Sequence, residues 1–291
     1  MARTILCAID EHTHPEIART AGELAAGLGS RVVLAHVAGD LARFHAAGER
    51  SRSAAIKRGG AHLERVRDAL PEELQAPDRI ELGSPVETLL DIAGDEDAEL
   101  IVVGSRGRGA LRSALLGSVS RRLTAQAPCP VVIVTPGAVE YRASRPDGSD
   151  GRVPSLVCGI DGSEPSLKAA RLAADLADRL GDRLLLLHAH DARRRNWVSG
   201  LADADWPASD GTKPTRLIEP GPPAYALESV AGREGARLIV VGARAMGPLR
   251  SALVGSVSAQ LIGTAGCPVV IVPEHAQLGR GSGHYETQSA A

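Results

Sequence analysis

Short apolar runs recur along the chain, and polar stretches with helical spacing separate them. The first run, residues 4–9, ends at Asp10, and the next, residues 31–37, has no polar alternation. An unbroken apolar run of this length is typical of a strand covered on both faces of a parallel sheet. Between the two runs, residues 16–28 carry apolar side chains at helical spacing, and Gly29 is a helix stop. The pattern predicts strands and helices in alternation.

This alternation continues to residue 134. A polar helix is predicted over 51–69, with Ile56, Leu63 and Val66 as its apolar stripe. The other segments predict, in order, a strand at 80–82, a helix at 86–93 after the turn Gly83-Ser84-Pro85, a strand at 100–103, a helix at 118–127 and a strand at 130–134.

The same order of segments then occurs a second time. The second copy predicts strands at 156–160, 184–188, 215–218, 238–241 and 268–272, with helices at 167–180 and 225–231 among them. Strands that alternate with helices indicate βαβ units, a parallel sheet and right-handed crossovers. The predicted fold class is α/β, with two tandem open, mostly parallel five-stranded sheets and helices on both faces.

The repeat divides the chain into a first domain, 1–137, a polar Gly- and Ser-rich linker, 138–153, a second domain, 154–274, and a tail, 275–291, expected to be disordered. Residues 191–213 break the repeat, because they hold both tryptophans, Trp197 and Trp206, where the first copy has its polar helix. We expect an irregular loop there. It is either a lid or partner surface over the carboxyl edge of the sheet, or an excursion packed on a neighbouring helix.

Composition limits the classes of protein that need be considered. Apolar residues make up 44% of the chain and aromatic residues only 2%, so the core is expected to consist of Ala, Val, Leu and Ile. The net charge of −2 provides no field that would gather nucleic acid or an anionic membrane, and neither is expected as a partner. No apolar run approaches the roughly 18–20 residues that span a bilayer. Because the chain enters a strand at once, no signal peptide is expected, and the expected location is the cytoplasm.

The four cysteines lie at repeat-equivalent strand positions. Cys7 and Cys158 occupy the same place in the two first strands, and Cys129 and Cys267 both precede Pro-Val-Val-Ile-Val. This placement indicates small buried hydrophobic residues rather than a metal site or a disulfide.

One glycine-rich segment carries the candidate chemistry, and it is present in both copies. Residues 102–120 and 240–258 align without a gap, and 14 of the 19 positions are identical. A loop of this kind between a β-branched run and a helix start is typical of phosphate binding, because glycines let the backbone approach an anion. Gly104 and Gly107 allow positive φ angles, and without a Cβ they let the backbone come close to a phosphate.

The helix that begins at Gly117 strengthens this interpretation. Its unpaired N–H groups favour an anion, Ser118 and Ser120 could add hydroxyl donors, and Arg112 could neutralise charge. The alternative is that Ser118 only caps the helix and the glycines only turn the chain. The recurrence of the spacing, and an aspartate after the first strand of each copy, favour binding. No Lys follows the glycines, so this is not the P-loop pattern.

The spacing Gly104-x-x-Gly107, nine residues, then Gly117-Ser118 resembles the signature of ATP-binding universal stress proteins. The order of elements, the aspartates Asp10 and Asp161, and Gly83-Ser84-Pro85 before the third helix are similar too. The resemblance covers both copies and implies a Rossmann-like adenine-nucleotide-binding fold in each, with ATP and Mg²⁺ or Mn²⁺ as cofactors. It further implies that the copies pack about a pseudo-two-fold axis through strands 131–134 and 269–272, and that the tandem chain forms a homodimer.

The resemblance also implies which residues bind. In the first copy Asp10 and the backbone at Val37 would face ribose and adenine, and the glycine loop would hold ribose and phosphates. The candidate residues there are Asp10, Val37, Val103, Gly104, Gly107, Arg108, Gly117, Ser118, Val119 and Ser120. Their counterparts in the second copy are Asp161, Gly162, Ala189, Val241, Gly242, Ala245, Gly255, Ser256, Val257 and Ser258.

Each copy departs from the family pattern at a different place. Ala245 replaces the second signature glycine, which would cost roughly 1 kcal/mol or more if that position needs a positive φ. The first copy has Asp10-Glu11-His12 where the family, like this chain's second copy, has Asp-Gly-Ser. The glycine loop of the first copy is therefore predicted to be the better phosphate site.

The sequence shows no catalytic constellation. His36 and His188 are repeat-equivalent and lie inside strands, which favours a packing role. The leading hypothesis is an ATP-binding stress-response regulator, in which nucleotide occupancy controls conformation or partner binding. Two alternatives remain open: a slow ATPase or phosphotransferase that uses Asp10 or Asp161 with a metal and water, and a scaffold in which one or both nucleotide sites are degenerate.

Overall fold

The structure is a computed structural model, and it describes residues 3–39, 41–105, 116–143, 153–190, 213–243 and 255–278. Each copy contributes five strands and the helices that connect them. In the first copy these are β1 Thr4–Ala8, α1 Pro15–Leu28, β2 Arg31–Val37, α2 Leu41–Arg67, a 3-10 turn Glu72–Leu74, β3 Arg79–Glu81, α3 Pro85–Asp95, β4 Ala98–Gly104, α4 Ser118–Gln126, β5 Val131–Val134 and α5 Pro136–Ala143.

The second copy repeats the order within its described residues. Its elements are β6 Ser155–Gly159, α6 Glu164–Leu180, β7 Arg183–His190, β8 Thr215–Pro220, α7 Pro223–Glu234, β9 Ala236–Gly242, α8 Ser256–Thr264 and β10 Val269–Val272. Gly29 and Gly181 end α1 and α6 in the left-handed conformation, with φ angles of 65° and 67°, as their positions in the sequence predicted.

The strands form a single sheet in the order β3-β2-β1-β4-β5-β10-β9-β6-β7-β8. Pairing is parallel within each copy and antiparallel where β5 meets β10, with Val132 opposite Val270. The α/β fold with parallel five-stranded halves is as predicted, and so is the pairing of the copies through their fifth strands. The two fifth strands run in opposite directions. The strands of the first copy therefore have their carboxyl ends on one side of the sheet, measured along the strand direction, and those of the second copy have theirs on the opposite side.

Alternate strand residues point to the two faces of the sheet, and each face has its own core. In β1, Ile5 and Cys7 face the layer that contains α1, α2 and α6, whereas Leu6 faces the layer that contains α3, α4, α7 and α8. All three side chains are fully buried. Coverage on both faces explains why the strand sequences show no polar alternation.

An ion-pair cluster, centred on Glu99, joins the two copies. The Glu99 side chain is only 9% exposed and accepts hydrogen bonds from Arg3, Ser30 and, across the junction, Arg179 of α6 at 2.8 Å and 3.2 Å. Arg179 also donates to the carbonyl oxygen of Leu28 at 2.9 Å. Counting back from the helix-ending glycines, the counterpart of Arg179 in α1 is Gly27, so only the second copy can supply this arginine.

Three details differ from the sequence prediction. Ile56 is 43% exposed, because the buried stripe of α2 runs through Ala55, Leu63 and Val66 instead. The predicted linker begins with a helix, α5, which the Gly- and Ser-rich composition after residue 143 concealed. The predicted tail is ordered as far as residue 278, since the Gln277 N–H donates to the carbonyl oxygen of Pro128 at 2.7 Å. Residues 279–291 lie outside the described residues, and the domain boundaries stay a prediction.

All four cysteines are buried free thiols, as predicted. Burial raises the pKa of Cys7, Cys129 and Cys267 to about 12, and it raises the pKa of Cys158 as well. Within the described part of the chain, no helix is both long and apolar enough to cross a membrane.

Candidate functional site

A cavity of about 540 Å³ opens at the carboxyl ends of β1, β2 and β4. Three parts of the first copy meet around it: the loop after β1 that carries Asp10, the end of β2 around Val37, and the junction of β4 with the N-terminus of α4. We call it the first cavity. Of the predicted first-copy residues, it brings together Asp10, Val37, Val103, Gly104, Gly117, Ser118, Val119 and Ser120. Gly107, Arg108 and Arg112 lie outside the described residues.

Short-range hydrogen bonds fix the carboxylate of Asp10. Its Oδ1 accepts from the His12 N–H at 2.8 Å and from the Thr13 hydroxyl at 2.9 Å, and the same hydroxyl accepts from the Asp10 N–H at 2.7 Å. An aspartate that bonds its own following backbone in this way makes a rigid Asx turn. Thr13 therefore replaces the serine that the family pattern has two positions after the aspartate, and the departure noted at residues 10–12 leaves the loop well ordered.

The other end of the first cavity has the features of an anion site. Gly117 is the N-cap of α4 and has no side chain that could cap the helix. The N–H groups of Ser118 and Val119, in the first turn, therefore have no partners within the helix. The Ser118 side chain is exposed at this opening, and Val119 is half-buried. A phosphate at this position would meet both the helix dipole and these N–H donors.

Gly104 has strand geometry and pairs with Val134, so it does not use the positive φ that a glycine allows. One expectation about this end was wrong. The Ser120 hydroxyl is buried and donates to the carbonyl oxygen of Gly104 at 2.7 Å, so it holds the loop and does not reach towards a ligand. The Gly117 N–H donates to the carbonyl oxygen of Ser105 at 2.8 Å, which closes the base of the glycine loop.

Helix α2 forms the wall of the first cavity opposite α4 and contributes Ala55, Arg58 and His62. The His62 ring lies 5.1 Å from the His36 ring between their centroids. Burial, the nearby His36 and the Arg65 guanidinium lower the pKa of His62, and the carboxylates of Glu11 and Asp10 partly oppose them. Thr13, Arg58 and His62 were not predicted from the sequence. For the two residues on α2, the available signal was spacing, because positions 58, 62 and 65 recur at helical intervals on one face of a predicted helix.

His36 and His188 have equivalent structural roles, as the packing interpretation predicted. The Nδ1 of His36 bonds the carbonyl oxygen of Ile9 at 2.8 Å, and the Nδ1 of His188 bonds that of Ile160 at 3.0 Å. A carbonyl only accepts, so each Nδ1 carries the proton. Each histidine thereby holds the backbone just before the aspartate of its copy.

A second cavity, of about 150 Å³, occupies the equivalent position in the second copy. It brings together the predicted residues Asp161, Ala189, Val241, Gly242, Gly255, Ser256, Val257 and Ser258. Asp161 Oδ1 accepts from the N–H and the hydroxyl of Ser163 at 3.0 Å and 2.5 Å. Gly162 turns this loop with a φ of 79° and does not line the cavity. Ala245 and the segment 191–212, with Trp197 and Trp206, lie outside the described residues.

The N-terminus of α6 forms part of the wall of the second cavity. Counted back from the helix-ending glycines, α6 begins three residues earlier than α1. Its first turn carries Pro165 into the cavity wall, where the Pro165 carbonyl oxygen would lie 2.3 Å from a Cβ placed on Gly242. Only glycine fits at this contact. The second cavity is thus pinched where the glycine loop begins, and the two sites differ in the space they offer.

Among the residues that the structure describes, no three His, Cys, Asp or Glu side chains lie close enough together to hold a metal ion.

Comparison with known proteins agrees with the fold and the repeat. The profile of the Universal stress protein family matches residues 1–135, 154–210 and 202–273. The chain belongs to the universal stress protein family, and the family profile recurs along it. A universal stress protein of Mycobacterium tuberculosis is 34% identical over 215 residues, which cover 68% of this chain and 69% of the relative. One of Mycolicibacterium smegmatis is 34% identical over 225 residues, 71% and 72% of the two chains.

Solved structures agree on the fold. A universal stress protein of Archaeoglobus fulgidus superimposes with a TM-score of 0.64 at 17% identity, covering 93% of this chain and 98% of that one. A universal stress protein solved in complex with cAMP is 25% identical and covers 42% of this chain, with a TM-score of 0.32. At that similarity it says nothing about the ligand of this chain.

Proposed function

We propose that this universal stress protein binds ATP and regulates a stress response through it, nucleotide occupancy controlling its conformation or the surface that it offers to a protein partner. The observation that carries the proposal is the first cavity. It combines a fixed carboxylate at Asp10, the end of strand β2 at Val37 and the N-terminus of α4 around one space. In an open parallel sheet, this carboxyl edge is where ligands bind.

The residues present suit the parts of ATP. Asp10 would accept hydrogen bonds from ribose hydroxyls, the strand-end backbone around Val37 offers polar groups to the edge of the adenine ring, and Ser118 and Val119 would donate to phosphate oxygens. Mg²⁺ or Mn²⁺ would bind with the phosphates and offset their charge. The smaller second cavity would bind the same ligand more weakly, because Pro165 occupies space beside Gly242.

Binding should appear as thermal stabilisation. ATP with Mg²⁺, at a free concentration of about 100 times Kd, should raise the free energy of unfolding by about 2.7 kcal/mol. Asp10→Ala should remove most of this gain, and Asp161→Ala should leave most of it, since the first cavity is the larger one. Differential scanning fluorimetry with the three chains tests this. The absence of any shift in the parent protein would refute the proposal.

Two further elements belong to the same proposal: a cytoplasmic location, and a homodimer of the tandem chain. Because β5 and β10 already pair with each other, a second chain would have to use another surface. Sedimentation velocity with and without ATP measures whether such a dimer forms and whether the nucleotide changes it.

A further inference from the structure

We infer that helix α2 is part of the nucleotide-binding machinery of the first copy, with Arg65 and His62 as positioning residues for the loop that carries Asp10. The inference rests on the proposed function, because its consequence is measured as nucleotide affinity. It goes further, because it assigns a role to side chains outside the glycine loop and makes the first site differ from the second.

Arg65 is the direct link between α2 and the loop. Its Nη2 donates to the carbonyl oxygen of Glu11 at 2.9 Å and to Nδ1 of His62 at 3.1 Å. An arginine can only donate, so Nδ1 of His62 must accept and the proton of the neutral ring lies on Nε2. The neutral ring of His62 therefore orients the guanidinium, and the guanidinium holds the backbone of the residue next to Asp10.

His36 holds the other side of the same loop. Its Nδ1–H donates to the carbonyl oxygen of Ile9, the residue before Asp10, at 2.8 Å. The ring fits beneath α2 only because residue 59 is glycine, since a Cβ there would lie 2.7 Å from Cδ2 of His36. Asp10 is thus held between two anchored carbonyls, one bonded from β2 and one from α2.

Charges around His62 make this arrangement sensitive to protonation. The groups that face it are Arg65 and Arg58 on α2, His36 on β2, and Asp10 and Glu11 on the loop, where His12 also pairs with Glu11 at 3.2 Å. A proton on Nδ1 would remove the acceptor that Arg65 uses and place a second cation beside the guanidinium. The lowered pKa of His62 is consistent with this repulsion. Acid should therefore loosen the loop.

The second copy gives an internal comparison. Residues 191–213, which follow β7 in the sequence as α2 follows β2, contain no histidine. There the loop is held by Ser163 and by His188, which bonds Ile160. The dependence on His62 should accordingly be confined to the first site.

The test is ATP affinity by isothermal titration, with Mg²⁺, in a full-length chain that carries Asp161→Ala so that the first site dominates. We expect Arg65→Ala to weaken binding about fivefold, the value of one hydrogen bond. Lys57→Ala, an exposed change on the same helix, should have no effect. His62→Asn keeps an acceptor near the Nδ1 position without titrating. It should match the parent at about pH 7.5 and bind increasingly more tightly than the parent as the pH falls below about 6.5, the ordinary pKa of histidine.

The pH comparison separates positioning from simple structural support, because the titration of ATP itself is common to both proteins. Equal pH profiles for the parent and His62→Asn, or unchanged affinity in Arg65→Ala, would overturn the inference while leaving the proposed function intact. No ATP binding by the parent would overturn both. Without ligand, amide exchange at His12, which donates to Asp10 Oδ1, should be faster in Arg65→Ala than in Lys57→Ala.

Discussion

Replacing Arg179 with alanine is expected to destabilise the protein strongly. Among the described side chains that reach the surface where the two copies meet, we expect its truncation to have the largest effect. The change leaves Glu99, which is 9% exposed, with Arg3 as its remaining cationic partner at 3.2 Å. Breaking a buried ion pair costs about 3–5 kcal/mol, and because Arg179 is partly exposed we expect about 2–3 kcal/mol. Urea unfolding at neutral pH measures this loss, and Tm should fall by several degrees.

The loss should depend on pH in a defined direction. Burial acts to raise the pKa of Glu99, but hydrogen bonds from Arg179 and Ser30 and the charge of Arg179 outweigh it, so the pKa is lowered. A carboxyl with a depressed folded-state pKa contributes stability above its unfolded pKa, about 4.3, and loses it as the pH falls through the folded value. The difference between the parent and Arg179→Ala should be full at pH 7 and shrink below about pH 4.

Two controls test the cause. Arg171→Ala removes an exposed arginine from the same helix and should change the free energy of unfolding by no more than about 0.5 kcal/mol. Adding Glu99→Gln to Arg179→Ala removes the stranded charge and should recover part of the loss, because the two sites are coupled. Strictly additive effects of the two substitutions would contradict the ion-pair explanation.

Thr13→Val is expected to have the largest effect on nucleotide binding among isosteric changes at the first cavity. Valine keeps the shape of threonine but removes the hydroxyl that donates to Asp10 Oδ1 and accepts from the Asp10 N–H. At about 1 kcal/mol for each hydrogen bond, the two bonds together hold the backbone and the carboxylate of Asp10 in place with about 2 kcal/mol, which is worth roughly a thirtyfold change in affinity. Titration with ATP and Mg²⁺ should show a Kd about thirty times higher.

Thr20→Val is the matched control for this substitution. It makes the same exchange in α1, the helix that follows the loop of Thr13, where the hydroxyl donates to the carbonyl oxygen of Glu16 at 2.8 Å, away from the cavity. It should lower stability slightly and leave the Kd unchanged. Ser163→Ala, the corresponding change in the second copy, should affect only the weaker site. A Thr13→Val protein that binds ATP like the parent would show that the Thr13 hydroxyl has no part in binding.

Most of the fold could be predicted from the sequence, because the pattern of each strand occurs in both copies of the repeat. Unbroken apolar runs such as 31–37 and the stops at Gly29 and Gly181 depend on local backbone preference and burial, which spacing reveals directly. The pairing of the fifth strands was implied by the family resemblance, and it agrees with the need of two apolar edge strands for cover. Helix α5 was not, because its contacts with the other copy, such as Thr135 to the carbonyl oxygen of Ala265 at 2.7 Å, are tertiary.

The candidate site was predictable only in part, for a physical reason. Gly104, Gly117 and Asp10 act through the backbone and through their place at strand ends, so local sequence locates them. The roles of Thr13 and His62 depend on which atoms face each other once the loop and α2 are packed. The position of Pro165 in the wall of the second cavity depends on α6 starting three residues earlier than α1, and no residue type in the sequence predicts that offset. Whether Gly104 uses the positive φ that glycine allows depends on its pairing with Val134 in the sheet, which gives it strand geometry.

The antiparallel meeting of β5 and β10 has a consequence for what the molecule can report. The first strands of the two copies are five strand positions apart, about 24 Å at roughly 4.8 Å for each step, and their carboxyl ends point in opposite directions. Nothing that docks at one mouth can touch the other without reaching around the sheet. The two cavities therefore open at opposite ends of the strands. A molecule bound at one cavity can respond to the state of the other only through the strands and helices between them.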